Sequence, residues 1–272
     1  MATLLVKNIE TLYTNDTGLG DFKNGAIFVR DNVIEQIGLT SELPETADRV
    51  IDARGKFILP GFVNTHHHFF QTLTRAVPGA QDEELFDWLV RLYPIFSELD
   101  AEATYVSSMI AMAELILSGC TTSSDHQYLW PADARLDDQI RAASEIGMRL
   151  HAVRGCMTLG RSQGGLPPDH VIQSEDEILA DSQRLIGTYH DPKPYSMCRL
   201  VLAPCAPFNV TERILVESAR MARAYPGVRL HSHVAETKDE ETWCARTHNM
   251  RPVRYMEKLG WVGDDVWWAH CI

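Results

Sequence analysis

Histidines stand close together at two places in the chain, each at the end of an apolar, β-prone run. His66, His67 and His68 follow ILPGFVNT, and His231 and His233 lie in LHSHVAET. Because successive side chains on a strand point to opposite faces, His66 and His68 share one face, as do His231 and His233. Two imidazoles on one face can chelate a metal ion, and zinc accepts histidine nitrogen well. Solvated strand-end or core histidines are the alternative interpretation.

Two further residues extend this pattern. Glu236 follows His233 by three positions, in the loop after the strand, where its carboxylate could reach a metal-bound water. His270, in WWAHC, ends another apolar strand and so occupies the same position relative to its strand as the paired histidines. A lone histidine in such a strand can also be a core residue, and at this point both interpretations stay open.

The sequence argues against two other kinds of site. No cysteine pair accompanies the histidines, so the spacing excludes a zinc finger. No P-loop pattern occurs, so nucleoside triphosphate chemistry is unsupported. The cysteines are far apart, which is typical of buried thiols in a reducing compartment. They are Cys120, Cys156, Cys198, Cys205, Cys244 and Cys271.

Alternating strands and helices must position these side chains. Beyond residue 56, short β-prone runs are predicted as strands at 58–65, 121–126, 149–154, 199–203, 228–233 and 266–271. Helical segments between them are predicted near 103–117, 134–146, 174–189, 211–224 and 237–259, the last broken at Pro252. Strand and helix in alternation predict a parallel sheet.

The connecting segments favour a barrel over an open sheet. Helix-to-strand links are short, whereas the strand-to-helix links 69–101 and 155–173 are long, as in a TIM barrel with its active site on one face. A doubly wound sheet is the alternative, but its usual Gly-rich loop is missing after the first strand. We expect an α/β fold with a TIM-type barrel at 56–272, incomplete at six strands, and a small all-β module at 1–55.

The motifs at these positions resemble those of the amidohydrolase superfamily. The run PGFVNTHHHFFQTLTRAVP (60–78) is similar to the branch containing 8-oxoguanine deaminase and hydroxyatrazine ethylaminohydrolase. The likeness continues through LSGCTTSSDH, RSQGGLPPD, LAPCAPF, HSHVAE and GWVGDDVWWAHC. The HxH and HxxE elements are superfamily-wide, whereas the triple histidine and the SQGGLPPD loop indicate this branch. The resemblance implies a small β-sandwich joined to a metal-bearing barrel.

The resemblance also implies roles for individual residues. Glu236 would be the proton shuttle, His270 would hydrogen-bond the attacking hydroxide and the substrate, and Gln71 would contact the substrate. The family has one more ligand, an aspartate after an eighth strand, beyond the six strands counted here. The ligands of a single zinc ion would be His66, His68 and His233.

The reaction expected from this resemblance is hydrolytic deamination of a purine-like ring, with 8-oxoguanine giving urate and ammonia. The alternatives are a hydroxyatrazine-type triazine aminohydrolase, another aminopurine deaminase, or, from a different class, an inactive truncated remnant that binds only a metal or a partner. Six strands lead us to expect a chain that stops before its barrel closes. Such a chain would expose two open sheet edges, and we expect it to be poorly soluble with little or no deaminase activity, whereas a version extended through strand eight would be active.

The net charge and the distribution of apolar residues limit which partners and which cellular location we expect. A net charge of −12 repels nucleic acid and acidic membranes, so neither is expected as a partner. The start, MATLLVKNIETLYTND, lacks the features of a signal peptide, and no apolar run is long enough to cross a bilayer. We expect a cytoplasmic enzyme acting on a small heteroaromatic molecule. Assembly into a homo-oligomer stays open.

Overall fold

The computed structural model describes residues 2–272, and the chain divides into two compact units. The first unit ends at Phe62, and the second runs from Val63 to Ile272. The two units differ in fold, and the histidines singled out above all belong to the second.

The first unit is all-β, as predicted. Its strands are β1 (Thr3–Leu12), β2 (Phe22–Arg30), β3 (Val33–Leu39), β4 (Arg49–Asp52) and β5 (Phe57–Ile58). They form one mixed sheet in the order β3-β2-β1-β4, with β5 also paired to β1. The pairs β1–β2 and β2–β3 are antiparallel, whereas β4 and β5 run parallel to β1. Buried side chains such as Leu5, Ile9 and Phe28 form small apolar clusters on this sheet.

The second unit is built on a six-stranded sheet. Its strands are β6 (Phe62–Asn64), β7 (Cys120–Asp125), β8 (Arg149–Cys156), β9 (Cys198–Pro204), β10 (Arg229–Val234) and β11 (Val266–His270). They neighbour one another in chain order, and the pairs from β7 to β11 are parallel. Sequential parallel strands separated by helices are the arrangement of a (β/α) barrel, here with six strands. The predicted fold class is therefore confirmed.

Helices cover the second unit between its strands. They are α1 (Leu85–Phe96), α2 (Ala101–Leu117), α3 (Leu136–Ile146), α4 (Glu175–Tyr189), α5 (Glu212–Arg223), α6 (Lys238–His248) and α7 (Pro252–Lys258). Side chains that cap first turns mark several starts: Asp100 accepts from the Ala103 N–H, and Ser174 accepts from the Glu177 N–H. None of the helices in residues 2–272 combines the length and apolar character that crossing a bilayer requires.

The sheet of the second unit curves until its two edge strands approach each other. β6 and β11 are the outermost strands, and yet the indole N–H of Trp267 on β11 donates to the carbonyl of Thr65, just after β6, at 3.0 Å. Inside the curve, Trp267 packs against a small apolar cluster of Val153, Val201 and Ala203. The concave side is therefore a packed interior, and the carboxyl ends of its strands face one common space.

Two elements differ from the sequence prediction. The run 58–65 is not one strand: Phe57–Ile58 pairs with β1, and Phe62–Asn64 joins the barrel sheet. Pro60 lies between them, and a proline has no N–H to continue a strand ladder. The segment predicted as the loop 69–101 contains α1, whose helical pattern is obscured by Pro94 in its last turn.

Candidate active site

Six histidine rings meet inside the second unit at the carboxyl ends of its strands. His66 and His68 follow β6, and His126 follows β7. His231 and His233 lie on β10, and His270 is the last residue of β11. The ring centroids of His66 and His233 are 4.8 Å apart, and those of His233 and His270 are 5.5 Å apart. The structure therefore brings together at one place the histidines that the sequence predicts as ligands and the one it predicts as a substrate contact.

The Nε2 atoms of His68 and His233 face each other at 3.2 Å. The other nitrogen of each ring, Nδ1, lies 2.7 Å from a backbone carbonyl, that of His126 for His68 and that of Cys205 for His233. A carbonyl only accepts, so each Nδ1 carries the proton and each Nε2 presents a lone pair. Two lone pairs at this distance repel each other unless a cation lies between them.

The geometry of this pair fits a zinc ion. In a tetrahedral site with zinc–nitrogen bonds of about 2.0–2.1 Å, neighbouring nitrogens are about 3.3 Å apart, close to the observed separation. His66 lies beside both rings, with centroids 4.8 Å from each. A set of three neutral imidazoles on one side, with space in front of them, is a donor set that zinc accepts well.

His126 is a member of the cluster that the sequence analysis did not assign. Its Nε2 donates to the carbonyl of Ala203 at 3.0 Å, so its Nδ1 is a buried lone pair, without a hydrogen-bond partner in residues 2–272. His66, His126 and His233 each offer one nitrogen within 4.8 Å of the others. Its position directly after β7 in SSDH matches that of His66 after β6, which is the signal that could have identified it.

Burial keeps these imidazoles neutral. It lowers the pKa of His66 to about 2, with the neighbouring His68 adding to the effect, and lowers the pKa of His68 to about 4. The pKa values of His126 and His233 lie well below the ordinary value, again chiefly through burial. A neutral imidazole keeps the lone pair that a metal ion needs, so the site is ready to bind one at neutral pH.

Glu236 is the carboxylate of the site. Its Oε1 lies 3.4 Å from Nε2 of His270, and burial, with a smaller contribution from Glu240, raises its pKa to about 7. The Glu240 carboxylate accepts hydrogen bonds from the backbone N–H groups of Ala235 at 3.0 Å and of Glu236 at 2.8 Å. These two hydrogen bonds stabilise the turn after β10, where Ala235 has a positive φ of 54°. A carboxyl group with a pKa near 7 can both donate and accept a proton at neutral pH.

A cavity of about 250 Å³ opens in front of the histidines. Aromatic side chains and two amides line it together with the site residues. These aromatic and amide residues are Gln71, Trp88, Tyr128, Phe208 and Asn209. Flat apolar walls with a few polar groups are typical of sites for planar small molecules. The structure places the predicted substrate contact, Gln71, in this wall.

The chain is similar to known proteins over its whole length. The model of the amidohydrolase family matches residues 57–272. The chain is 41% identical over 274 residues to the 8-oxoguanine deaminase of Pseudomonas aeruginosa, covering 100% of this chain and 60% of that protein. It is 40% identical over 286 residues to the hydroxydechloroatrazine ethylaminohydrolase of Pseudomonas sp. strain ADP, covering 99% of this chain and 58% of that protein. The chain thus spans about three fifths of the length of these curated relatives.

Solved structures show the same fold. The atrazine chlorohydrolase of Arthrobacter aurescens TC1 complexed with zinc superposes with a TM-score of 0.89 at 29% identity, over 99% of this chain and 61% of that one. A variant of triazine hydrolase superposes with a TM-score of 0.91 at 30% identity, over 100% and 61% of the two chains.

Proposed function

The chain belongs to the amidohydrolase family, and from this premise we propose that it is a zinc-dependent deaminase. The ligands of a single zinc ion are His66, His68 and His233. The observation that carries the proposal is the pair of lone pairs on His68 and His233, which face each other at 3.2 Å. A zinc ion bound there supplies Lewis acidity and a water acidic enough to act as nucleophile near neutral pH.

Glu236 moves the protons of the reaction. Replacing a ring amino group by oxygen consumes one water and releases one ammonia, so a proton must leave the attacking water and another must reach the departing nitrogen. With a pKa of about 7, Glu236 can take one proton from the attacking water and pass it to a ring nitrogen. It can then take the remaining proton from the same oxygen and pass it to the departing amine, which accounts for both protons of the water. Assistance of this kind typically accelerates a reaction by about 10² to 10⁴-fold.

His270 and Gln71 orient the reacting groups. His270 Nε2 lies beside the Glu236 carboxylate, at 3.4 Å, where it can hydrogen-bond the attacking oxygen and the charge that grows on the substrate. Gln71 lies in the cavity wall and can hydrogen-bond a carbonyl or an N–H of a flat ring through its amide. Aromatic neighbours such as Trp88 and Tyr128 provide faces and edges against which such a ring can pack.

We propose 8-oxoguanine as the substrate, since a relative that is 41% identical is an 8-oxoguanine deaminase. A triazine aminohydrolase is the second candidate, because the relative at 40% identity is a hydroxydechloroatrazine ethylaminohydrolase. The two reactions share the same attack on a ring carbon and differ in the leaving amine, which is ammonia in the first and ethylamine in the second.

Metal analysis and a product assay test the proposal together. We expect the purified protein to bind one zinc ion per chain. With zinc, a chain extended through an eighth strand should release ammonia from 8-oxoguanine, and residues 1–272 alone should release little. Ethylamine release from the ethylamino-triazine in place of ammonia from 8-oxoguanine would assign the second substrate class. Zinc binding without release of either amine would leave a metal-binding protein without deaminase activity, and absence of zinc would reject the metal site itself.

A further inference from the structure

His231 is a buried histidine for which the proposed mechanism has no role. It lies on β10, two positions before His233, and its side chain is inaccessible to solvent. Its Nδ1 is 2.9 Å from the backbone carbonyl of Trp267. Because a carbonyl only accepts, Nδ1 of His231 carries the proton, and its Nε2 is left with a lone pair that must accept.

The acceptor nitrogen of His231 meets His66. Nδ1 of His66 lies 2.8 Å from Nε2 of His231. Since that Nε2 has no proton to give, His66 must donate, and the proton of its ring therefore resides on Nδ1. The remaining nitrogen, Nε2 of His66, is then a lone pair free to bind a metal ion. The carbonyl of Trp267 thus determines the tautomer of His66 through one intervening ring.

His66 differs in this respect from the other two proposed ligands. His68 and His233 each donate directly to a backbone carbonyl, which can only accept. The partner of His66 is another imidazole, which accepts only while its own proton is held elsewhere. The tautomer of His66 is therefore conditional on His231, whereas the tautomers of His68 and His233 are not.

Trp267 contacts both the His231 ring and the backbone next to His66. Its indole stacks on the His231 ring, with centroids 4.6 Å apart and planes 21° from parallel. Its indole N–H donates to the carbonyl of Thr65, the residue before His66, at 3.0 Å. One side chain therefore fixes the orientation of His231 and the backbone that carries His66, so the distance between the two rings is set by a rigid frame.

We propose that His231 is a positioning residue that selects the Nδ1-protonated tautomer of His66 and so keeps its Nε2 available for zinc. This inference rests on the proposed function, in which His66 is a zinc ligand. Hydrogen-bonded partners of ligand histidines fix the tautomer and the ring orientation, and losing one typically weakens metal affinity by about 10- to 100-fold.

Two substitutions separate positioning from simple packing. His231→Leu keeps an apolar volume and removes the acceptor, whereas His231→Gln keeps an oxygen acceptor at about the reach of Nε2. We expect His231→Leu to raise the zinc Kd, measured by chelator competition, by about 10- to 100-fold. His231→Gln is expected to restore the Kd to within about threefold of the unmodified protein. His248→Leu, which replaces a partly buried histidine on α6, is the matched control and should leave the zinc Kd unchanged.

Nitrogen-15 NMR of the metal-free protein gives a readout that does not depend on zinc. We expect His66 to be protonated at Nδ1 in the unmodified protein and to become a mixture of tautomers in His231→Leu. Protonation of His66 at Nε2 in the unmodified protein would overturn the proposal, as would an unchanged zinc Kd in folded His231→Leu. A loss in His231→Gln equal to that in His231→Leu would indicate a packing role alone. If the unmodified protein binds no zinc, the proposed function fails, while the NMR result still decides the tautomer.

Discussion

Oε1 of the Glu236 carboxylate lies 3.4 Å from Nε2 of the His270 ring, although the two residues stand at the ends of different strands. Glu236 stands in the turn after β10, and His270 ends β11. His270 has a positive φ of 74°, a conformation uncommon for a residue other than glycine. The backbone therefore turns sharply at His270, where the imidazole of His270 meets the Glu236 carboxylate. This places a proton carrier beside an imidazole that can form hydrogen bonds.

Replacing Glu236 by glutamine should separate proton transfer from metal binding. Glutamine keeps the shape of the side chain but carries no transferable proton, so we expect turnover of a chain extended through an eighth strand to fall by about 10² to 10⁴-fold. The zinc content should stay the same, because Glu236 is no ligand in our assignment. The control is Glu241→Gln on α6, whose carboxylate pairs with Arg251 at the surface. Loss of zinc from Glu236→Gln would show that Glu236 itself binds the metal.

Zinc should stabilise the folded protein, because it relieves the repulsion between the facing nitrogens of His68 and His233. At a free zinc concentration of about 1,000 times Kd, binding to the native state alone contributes about 4 kcal/mol. For a chain of this size that corresponds to a rise in Tm on the order of 10 °C, measured by calorimetry. His233→Asn should lose most of this rise, and His248→Asn should retain it. An equal rise in both variants would place the zinc elsewhere.

Gly155 should tolerate no side chain. A Cβ at this position on β8 would lie 2.1 Å from the carbonyl oxygen of Gln127 and 2.9 Å from Cδ2 of His126, so the segment that carries His126 would have to move. We expect Gly155→Ala to lower the free energy of unfolding by about 1–3 kcal/mol in urea titrations. The matched control is Gly187→Ala on α4, where a Cβ meets no neighbour within 4 Å.

Gly187→Ala should instead raise the free energy of unfolding, because alanine is favoured over glycine inside a helix by about 0.5–1 kcal/mol. If both alanine variants stabilise the protein, the close approach of β8 to the segment after β7 is wrong.

Asp137 should make stability sensitive to acid. Its carboxylate accepts two hydrogen bonds from Arg184, at 2.8 and 2.7 Å, and one from the Tyr189 hydroxyl. The Arg184 hydrogen bonds are the main reason that the pKa of Asp137 is lowered from 3.8 to about 2. A lowered carboxyl pKa stabilises the fold above the unfolded pKa, and this stabilisation is lost as the pH falls through the folded value.

The Asp137→Asn variant measures that contribution. We expect it to be less stable than the unmodified protein by about 1 kcal/mol at neutral pH, a small value because the pair is partly exposed to solvent. The difference should shrink as the pH falls from about 4 to about 2. Asp264→Asn, at an exposed position, is the control. A difference that is independent of pH would mean that the carboxylate charge is not what stabilises this pair.

Local sequence predicted the alternation of strands and helices over most of the second unit and the two pairs of histidines at strand ends. Alternation of side chains along a strand predicts that His66 and His68 share a face. The structure brings the two rings together, with centroids 4.8 Å apart, although both residues lie beyond the end of β6. The same local rule missed α1, since Pro94 weakens a helical pattern, and joined Phe57–Ile58 to Phe62–Asn64 across Pro60. Membership of a strand depends on hydrogen-bond partners that are often distant in the chain, and a periodicity does not report them.

Only the tertiary structure decided which histidines meet and which of their nitrogens are free. His66 and His231 are brought to 2.8 Å by the curvature of the sheet, and the carbonyl of Trp267 then sets the tautomers of both rings. His126 joins the cluster because β7 lies beside β6, and its place directly after a strand is the one local sign of this in the sequence. The physical reason is that hydrogen bonds and burial act between atoms close in space, so tautomers and pKa values depend on neighbours that lie far away in the sequence.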